Sequence, residues 1–322
     1  MAARISNGMG IFKPLYWLFG LAMKGLLVVF DNHYFLALIV FTVITRLILF
    51  PLNLRQQKAT AKTSRLQPKI QKIQKKYANT NDPRDRQKMN EEMQALYSRE
   101  GHNPMNMGCG PMAFQMIFLM GVIGIIYYPI QYIIGIADFD TYSQQIAKAI
   151  NFDGAYFQIG ILQNFDSYKA ILADQFPKLF TPDKIAAIEE YRSHLYIGTL
   201  DMTQIPTWKG GIIIIIPILA FLTSVGSSVV SMLIQKKNNP AQAQQMQQMM
   251  LMMLMMPLFS FYIAFKVSAA VGFYWIISNL VAIVQQVVMA KFFPPRKNIA
   301  REMIENTIER RSREESIKKI KE

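Results

Sequence analysis

Five long apolar runs, set between charge-rich stretches, organise this 322-residue chain. The first covers 34–52 and reads YFLALIVFTVITRLILFPL. As a helix it would be about 28 Å long, enough to cross the hydrocarbon core of a bilayer. The others cover 111–136, 211–234, 246–265 (rich in methionine) and 269–290. Pro51, Pro129, Pro217 and Pro257 fall within or at the ends of the first four, where neighbouring helices can re-satisfy a kinked backbone. A further apolar stretch, 11–30, carries Lys13 and Lys24 on one helical face, and so predicts an amphipathic helix lying in the membrane interface. A signal peptide or an extra span is the competing reading. The weak basic n-region and the lack of a small-residue cleavage pattern before Asp31 weigh against a signal peptide.

The polar segments have their own pattern. In 65–80, apolar residues recur at Leu66, Ile70, Ile73 and Tyr77, one face of a helix. The cluster Asn79-Thr80-Asn81-Asp82-Pro83 marks a turn, and a second helix over about 84–100 carries Met89, Met93, Leu96 and Tyr97. Together these predict an antiparallel helical hairpin with a basic first arm. Segment 137–206 also reads as mostly helical, for example over 181–197. The predicted fold class is all-α: a polytopic membrane protein of five transmembrane helices, with a helical hairpin and an N-terminal interfacial helix. Its divisions are 1–32, an N-terminal segment with the interfacial helix; 33–54, the first span; 55–104, the hairpin; 105–136, the second span; 137–207, a helical segment; 208–292, spans three to five; and 293–322, a basic tail.

Composition supports the membrane reading: hydrophobic residues make up 52% and occur in blocks, with a net charge of +14. The charge also orients the chain. Segment 55–104 has twelve Lys and Arg against five acids, the loop 235–245 has two and no acid, and the tail 291–322 has ten against six, whereas 137–206 has five against nine. The positive-inside rule then puts 55–104, 235–245 and the C-terminus in the cytoplasm, and the N-terminus and 137–206 outside. Lys266, between spans four and five, is a mild exception. The expected location is the bacterial plasma membrane.

Little in the sequence suggests bond-making chemistry. One cysteine, Cys109, excludes an intramolecular disulfide, and His33, His102 and His194 have no metal-site spacing. There is no phosphate loop, nucleophile elbow or HExxH pattern. No metal, cofactor or enzymatic activity is expected. The chemistry lies in polar residues inside the spans. Arg46 is the only charge in 34–52, at a cost of ~3 kcal/mol on insertion scales. At 100° per residue, Thr42, Arg46 and Asn53 share a helical face; on the fifth span Trp275, Asn279, Ala282 and Gln286 form a narrow stripe. Gln115 is an isolated polar residue of span two. If these faces meet, they line a polar cavity in the inner half of the bilayer. The alternatives are snorkelling of Arg46 to the inner headgroups and interhelical hydrogen bonding by the stripe. Met246, Met249, Met250, Met252, Met253, Met255 and Met256 are core packing or an adaptable apolar contact surface. The basic tail is a solvated helix, a lipid-headgroup contact or an RNA-binding arm.

Taken together, these residues resemble the YidC/Oxa family of membrane protein insertases, from about residue 11 to about 292. The motifs are TRLILFPLNLRQQK at 45–58, QPKIQKIQKKY with MNEEMQALYSREGHNPMNMGCGPMAFQM within 67–116, LDMTQIPTWKGG before span three, and FYWIISNLVAIVQQ at 273–286. The resemblance implies a hydrophilic, positively charged groove open to cytoplasm and lipid, lined by Arg46, Gln115, Trp275, Asn279 and Gln286. It implies nascent membrane proteins and the lipid bilayer as partners, with the ribosome and the Sec translocon as further candidates and no DNA. The chain departs from the family in four respects. Nothing in it matches the large periplasmic β-domain or the lipoprotein cysteine of some members, the turn before the last span reads VSAAVG where a proline is usual, and 137–206 is long. Two other classes remain open: an ion channel or small-solute transporter, and a passive assembly factor.

Overall fold

The computed structural model describes residues 10–78, 82–99, 109–154, 156–238, 246–294 and positions 304, 308, 311 and 312; within its helices, the side chains of 59–65, 67, 109–115, 237–238 and 246–254 lie outside the description. The fold is all-α apart from one two-residue β ladder. It comprises two compact units. The first is Met1–Ile48, Gln115–Ser228 and Met252–Ala282; the second is Leu49–Phe114, Val229–Leu251 and Ile283–Glu322.

The first unit begins with α1 (Lys13–Val29), with Pro14 in its first turn, where a missing N–H costs nothing. Asp31 and Asn32 turn the chain at φ 49° and 58°, a left-handed region that Asp and Asn tolerate, and α2 (Tyr34–Ile48) returns against α1. The stripe Tyr16, Phe19, Gly20, Met23 and Leu27 is the buried face of α1. It packs against α2, against α5 (Cys109–Tyr127) and against the single turn α6 (Pro129–Tyr132). A Cβ on Gly124 of α5 would lie 2.2 Å from the ring of Tyr16, so glycine there lets helix and ring meet. The second apolar run is interrupted at Tyr128, just before Pro129.

Segment 137–206 builds a helical cap from α7 (Phe139–Ala149), α8 (Phe157–Gln163), α9 (Phe165–Gln175) and α10 (Pro182–Ser193), closed by the ladder of β1 (Tyr196–Ile197) with β2 (Leu200–Asp201). The helix predicted over 181–197 therefore ends at Ser193, and its last residues pair as a strand. Fully buried Phe139, Ile146, Ile161, Leu162, Phe165, Leu172 and Ile188 form the apolar core of the cap. Ion pairs lie over it: Lys13–Asp140 at 2.6 Å, Arg192–Asp166 at 2.6 Å and Lys169–Glu189 at 2.5 Å. The bond to Asp166 raises the pKa of the Arg192 guanidinium. Tyr191 meets Tyr34 edge-on with ring centroids 5.5 Å apart, and burial pushes its phenol well above the ordinary range.

The last three helices are α11 (Ile215–Asn238), α12 (Met246–Ala264) and α13 (Ala269–Phe292). The turn between α12 and α13 is fastened to the cap. Tyr156 donates its hydroxyl proton to the Lys266 carbonyl at 2.7 Å. The first amides of α13, Ala269 and Ala270, donate to the carbonyls of Gln204 and Met202 at 2.8 Å each. Donors that a helix start otherwise leaves unpaired are satisfied by the stretch after β2.

In the second unit α3 (Phe50–Lys76) and α4 (Pro83–Arg99) pack as the expected hairpin. Leu66 and Ile70 are buried, and Glu92 accepts from Lys76 at 2.5 Å and from the Tyr77 hydroxyl at 2.9 Å. Lys76 holds the exposed Glu92 carboxyl below its ordinary pKa. The turn at 79–81 and nearly all of the basic tail lie outside the described residues.

Many large apolar side chains face outward, among them Val28 (78% exposed), Ile48 (66%) and Leu222 (57%), as suits a surface solvated by lipid. Gly10–Val29, Gly211–Lys236 and Ala269–Phe292 are long and apolar enough to cross a membrane; Tyr34–Ile48 with Phe50–Lys58 makes a fourth if the pair, bent at Leu49, is one span. The apolar helical stretches described in runs two and four, Met116–Tyr127 and Met255–Ala264, are shorter. The α1 segment, expected to lie in the interface, thus also has the length and composition of a span.

Candidate functional site

Arg46 lies near the end of α2, one turn before a break in the helix. The break is local chemistry: Pro51 has no N–H for the Leu47 carbonyl and its ring crowds that carbonyl, so the helix is interrupted at Leu49. The guanidinium is half-buried. Its Nη2 donates to the Ser278 hydroxyl at 2.5 Å and to the Ser278 carbonyl at 3.3 Å. Tyr274, one turn before Ser278 on α13, brings its phenol to the same cluster. Among the described residues no carboxylate lies within ion-pair distance of Arg46.

The neighbouring hydroxyls are turned inward. Thr42 is buried and donates to the Leu38 carbonyl at 2.7 Å; Thr45 donates to the Thr42 carbonyl at 2.8 Å. Both bonds stay within α2. Thr42 therefore shapes the wall beside Arg46 without offering a donor across it. On α13, Asn279 donates to the Thr223 hydroxyl of α11 at 3.3 Å, and Trp275 is half-buried against the core. The polar residues gathered in the first unit are thus Arg46, Ser278 and Tyr274, with Asn279 and Thr223 joining α13 to α11.

The other candidates are placed differently. The arithmetic that put Asn53 on the face of Arg46 assumed one unbroken helix; the break at Leu49 places Asn53 on α3, in the second unit. Gln286 lies on the part of α13 that belongs to the second unit as well. Gln115 falls on α5, with its side chain outside the described residues. Of the methionine cluster, Met255 and Met256 point outward, at 58% and 61% exposure; the side chains of the other five lie outside the description. Ser278, Tyr274 and Thr223 escaped the sequence reading. A signal existed: Tyr274 and Ser278 are four apart on an otherwise apolar face, beside the Trp275–Asn279 stripe.

The family model described as 60Kd inner membrane protein matches residues 26–297 of the 322. The chain belongs to this family. The expected YidC/Oxa membership holds, and with it the identification of a multi-pass membrane protein. The membrane protein insertase YidC of Oceanobacillus iheyensis is 39% identical over 103 residues, 32% of this chain and 38% of that protein. The membrane protein insertase YidC of Alkalihalophilus pseudofirmus is 38% identical over 109 residues, 33% of this chain and 41% of that protein. Membrane protein insertase YidC 2 of Listeria innocua is 39% identical over 92 residues, covering 29% and 31%. The chain therefore spans well under half the length of each of these three relatives.

Proposed function

We propose that this chain is a membrane protein insertase and chaperone. It moves nascent membrane proteins into the bilayer through a hydrophilic, positively charged groove open to the cytoplasm and to lipid. Arg46 is the central residue, and Thr42, Gln115, Trp275 and Asn279 of the same unit contribute to the lining. The N-terminus is outside and the C-terminus in the cytoplasm. The substrates are nascent membrane proteins in the bilayer, with the ribosome and the Sec translocon as further partners. The reading is supported by the family and by the names of the relatives.

One observation carries the mechanism: a half-buried arginine, in an otherwise apolar segment, held by a serine and, among the described residues, by no carboxylate. A cation so placed is costly in hydrocarbon and persists where water or polar protein solvates it. A hydrated pocket partway into the bilayer shortens the apolar barrier that a polar segment must cross. The positive charge lowers the cost of an acidic residue in transit, as Coulomb attraction strengthens in a low dielectric. No covalent step or nucleotide is required, so the protein acts by partitioning. The test is insertion by purified protein in liposomes of a single-span substrate series differing only in N-terminal acidic residues. Arg46→Lys keeps a long cation and should retain most insertion; Arg46→Ala should lose it, most of all for the acidic substrates. Equal insertion by Arg46→Ala across the series would mean that the arginine only snorkels.

A further inference from the structure

Resting on that reading, we infer that Ser278 is a positioning residue for Arg46: by holding Nη2 it aims the guanidinium and so sets the preference for acidic substrate segments. An arginine side chain has several soft torsions and, this near a helix end, could swing along the helix axis toward headgroups. Two contacts from one residue oppose that. The Ser278 hydroxyl and carbonyl, both on α13, accept from the same nitrogen at 2.5 and 3.3 Å. Ser278 is itself buried at 8% exposure, so its rotamer is fixed by packing, and Tyr274 adjoins it one turn earlier. Such a partner differs from a carboxylate in the respect that matters. A carboxylate would neutralise Arg46 and compete with an incoming acid, whereas a neutral hydroxyl fixes the side chain and leaves its charge whole. Residues 46 and 278 are far apart in sequence, so the position of the charge depends on α13 being seated beside α2.

Liposome insertion of matched acidic and neutral substrates decides the matter. The proteins are wild type, S278A, S278T, R46A and the S278A/R46A double variant. S278A keeps the backbone contact and loses the hydroxyl. The ratio of acidic to neutral substrate inserted should fall about tenfold, the weight of one hydrogen bond to a charged group at ~1.4 kcal/mol. S278T restores the hydroxyl and should recover most of the ratio. In the R46A background S278A should change nothing further, because its effect passes through the arginine; a purely structural serine would add its cost there too. A normal ratio for S278A alongside a collapsed ratio for R46A overturns the inference and leaves the proposed function standing. Additive losses in the double variant, or no recovery by S278T, also overturn it. A normal ratio for R46A itself defeats the reading of Arg46, and the inference with it.

Discussion

Gly20 and Gly25 lie on the same helix and should answer the same substitution with opposite signs. A Cβ on Gly20 would sit 2.5 Å from the carbonyl oxygen of Tyr132 and 2.9 Å from its Cβ. A carbon and a carbonyl oxygen approach to about 3.3 Å at their closest, so roughly 0.8 Å must be found. The obstacle is backbone at the end of α6, which cannot turn aside as a side-chain tip can, so α1 must lift. Lifting loosens Tyr16, Met23 and Leu27 from their packing. Overpacking of this kind costs ~1–3 kcal/mol, against a gain of up to about 1 kcal/mol for replacing a helical glycine. Gly20→Ala should therefore be destabilising by ~1–2 kcal/mol net. Among the described residues nothing lies within 4 Å of the same Cβ on Gly25, so Gly25→Ala should be neutral or stabilising by up to about 1 kcal/mol. Thermal unfolding of the detergent-solubilised full chain, followed by helical circular dichroism, measures both. Equal midpoints for the two variants would refute the packing of α1 against α6 and make α1 a loosely attached surface helix.

In a Cys109→Ser background, Asp174→Cys in the cap should react with an impermeant maleimide added to intact cells, and Lys72→Cys in the hairpin should not; the reverse pattern would invert the orientation. Deleting the hairpin, residues 62–100, should abolish insertion while leaving a membrane-integrated, detergent-stable protein, because the deleted segment is polar and contains none of the five long apolar runs; undiminished insertion would remove its role as a receiving surface. The tail 291–322, with ten basic residues against six acids, should add ribosome affinity that falls steeply between low and physiological salt; equal affinity without 296–322 at low salt would leave it a solvated or lipid-contacting helix.

The helical fold and the hairpin were legible because both rest on local periodicity. Leu66 and Ile70, four apart, are indeed buried, and the long apolar runs are helices. Breaks were harder to read. Pro51 and Pro129 were visible as residues, but whether a proline kinks a helix or stops it depends on the packing around it. In α2 the interruption at Leu49 is enough to undo a helical-phase argument carried from Arg46 to Asn53. The methionine run illustrates a second limit: composition marks a flexible apolar surface without saying which way it faces, and Met255 and Met256 face outward.

What periodicity could not supply were pairings between distant residues. Arg46 was conspicuous from its cost alone, yet its partner is a serine on the last helix, one of many polar residues that a sequence leaves equivalent. The cap gives the same lesson in backbone terms. Its attachment to the α12–α13 turn uses the carbonyls of Met202, Gln204 and Lys266, and a carbonyl carries no trace of its partner in residue type. Only Tyr156, which supplies a hydroxyl, could have hinted at it. These attachments bear on the site through rigidity. The cap fixes the first amides of α13, and Trp275, Ser278 and Asn279 follow within three turns of that anchored end. The α12–α13 turn is thus restrained from outside by hydrogen bonds, and the long segment before α11 contributes the groups that make them.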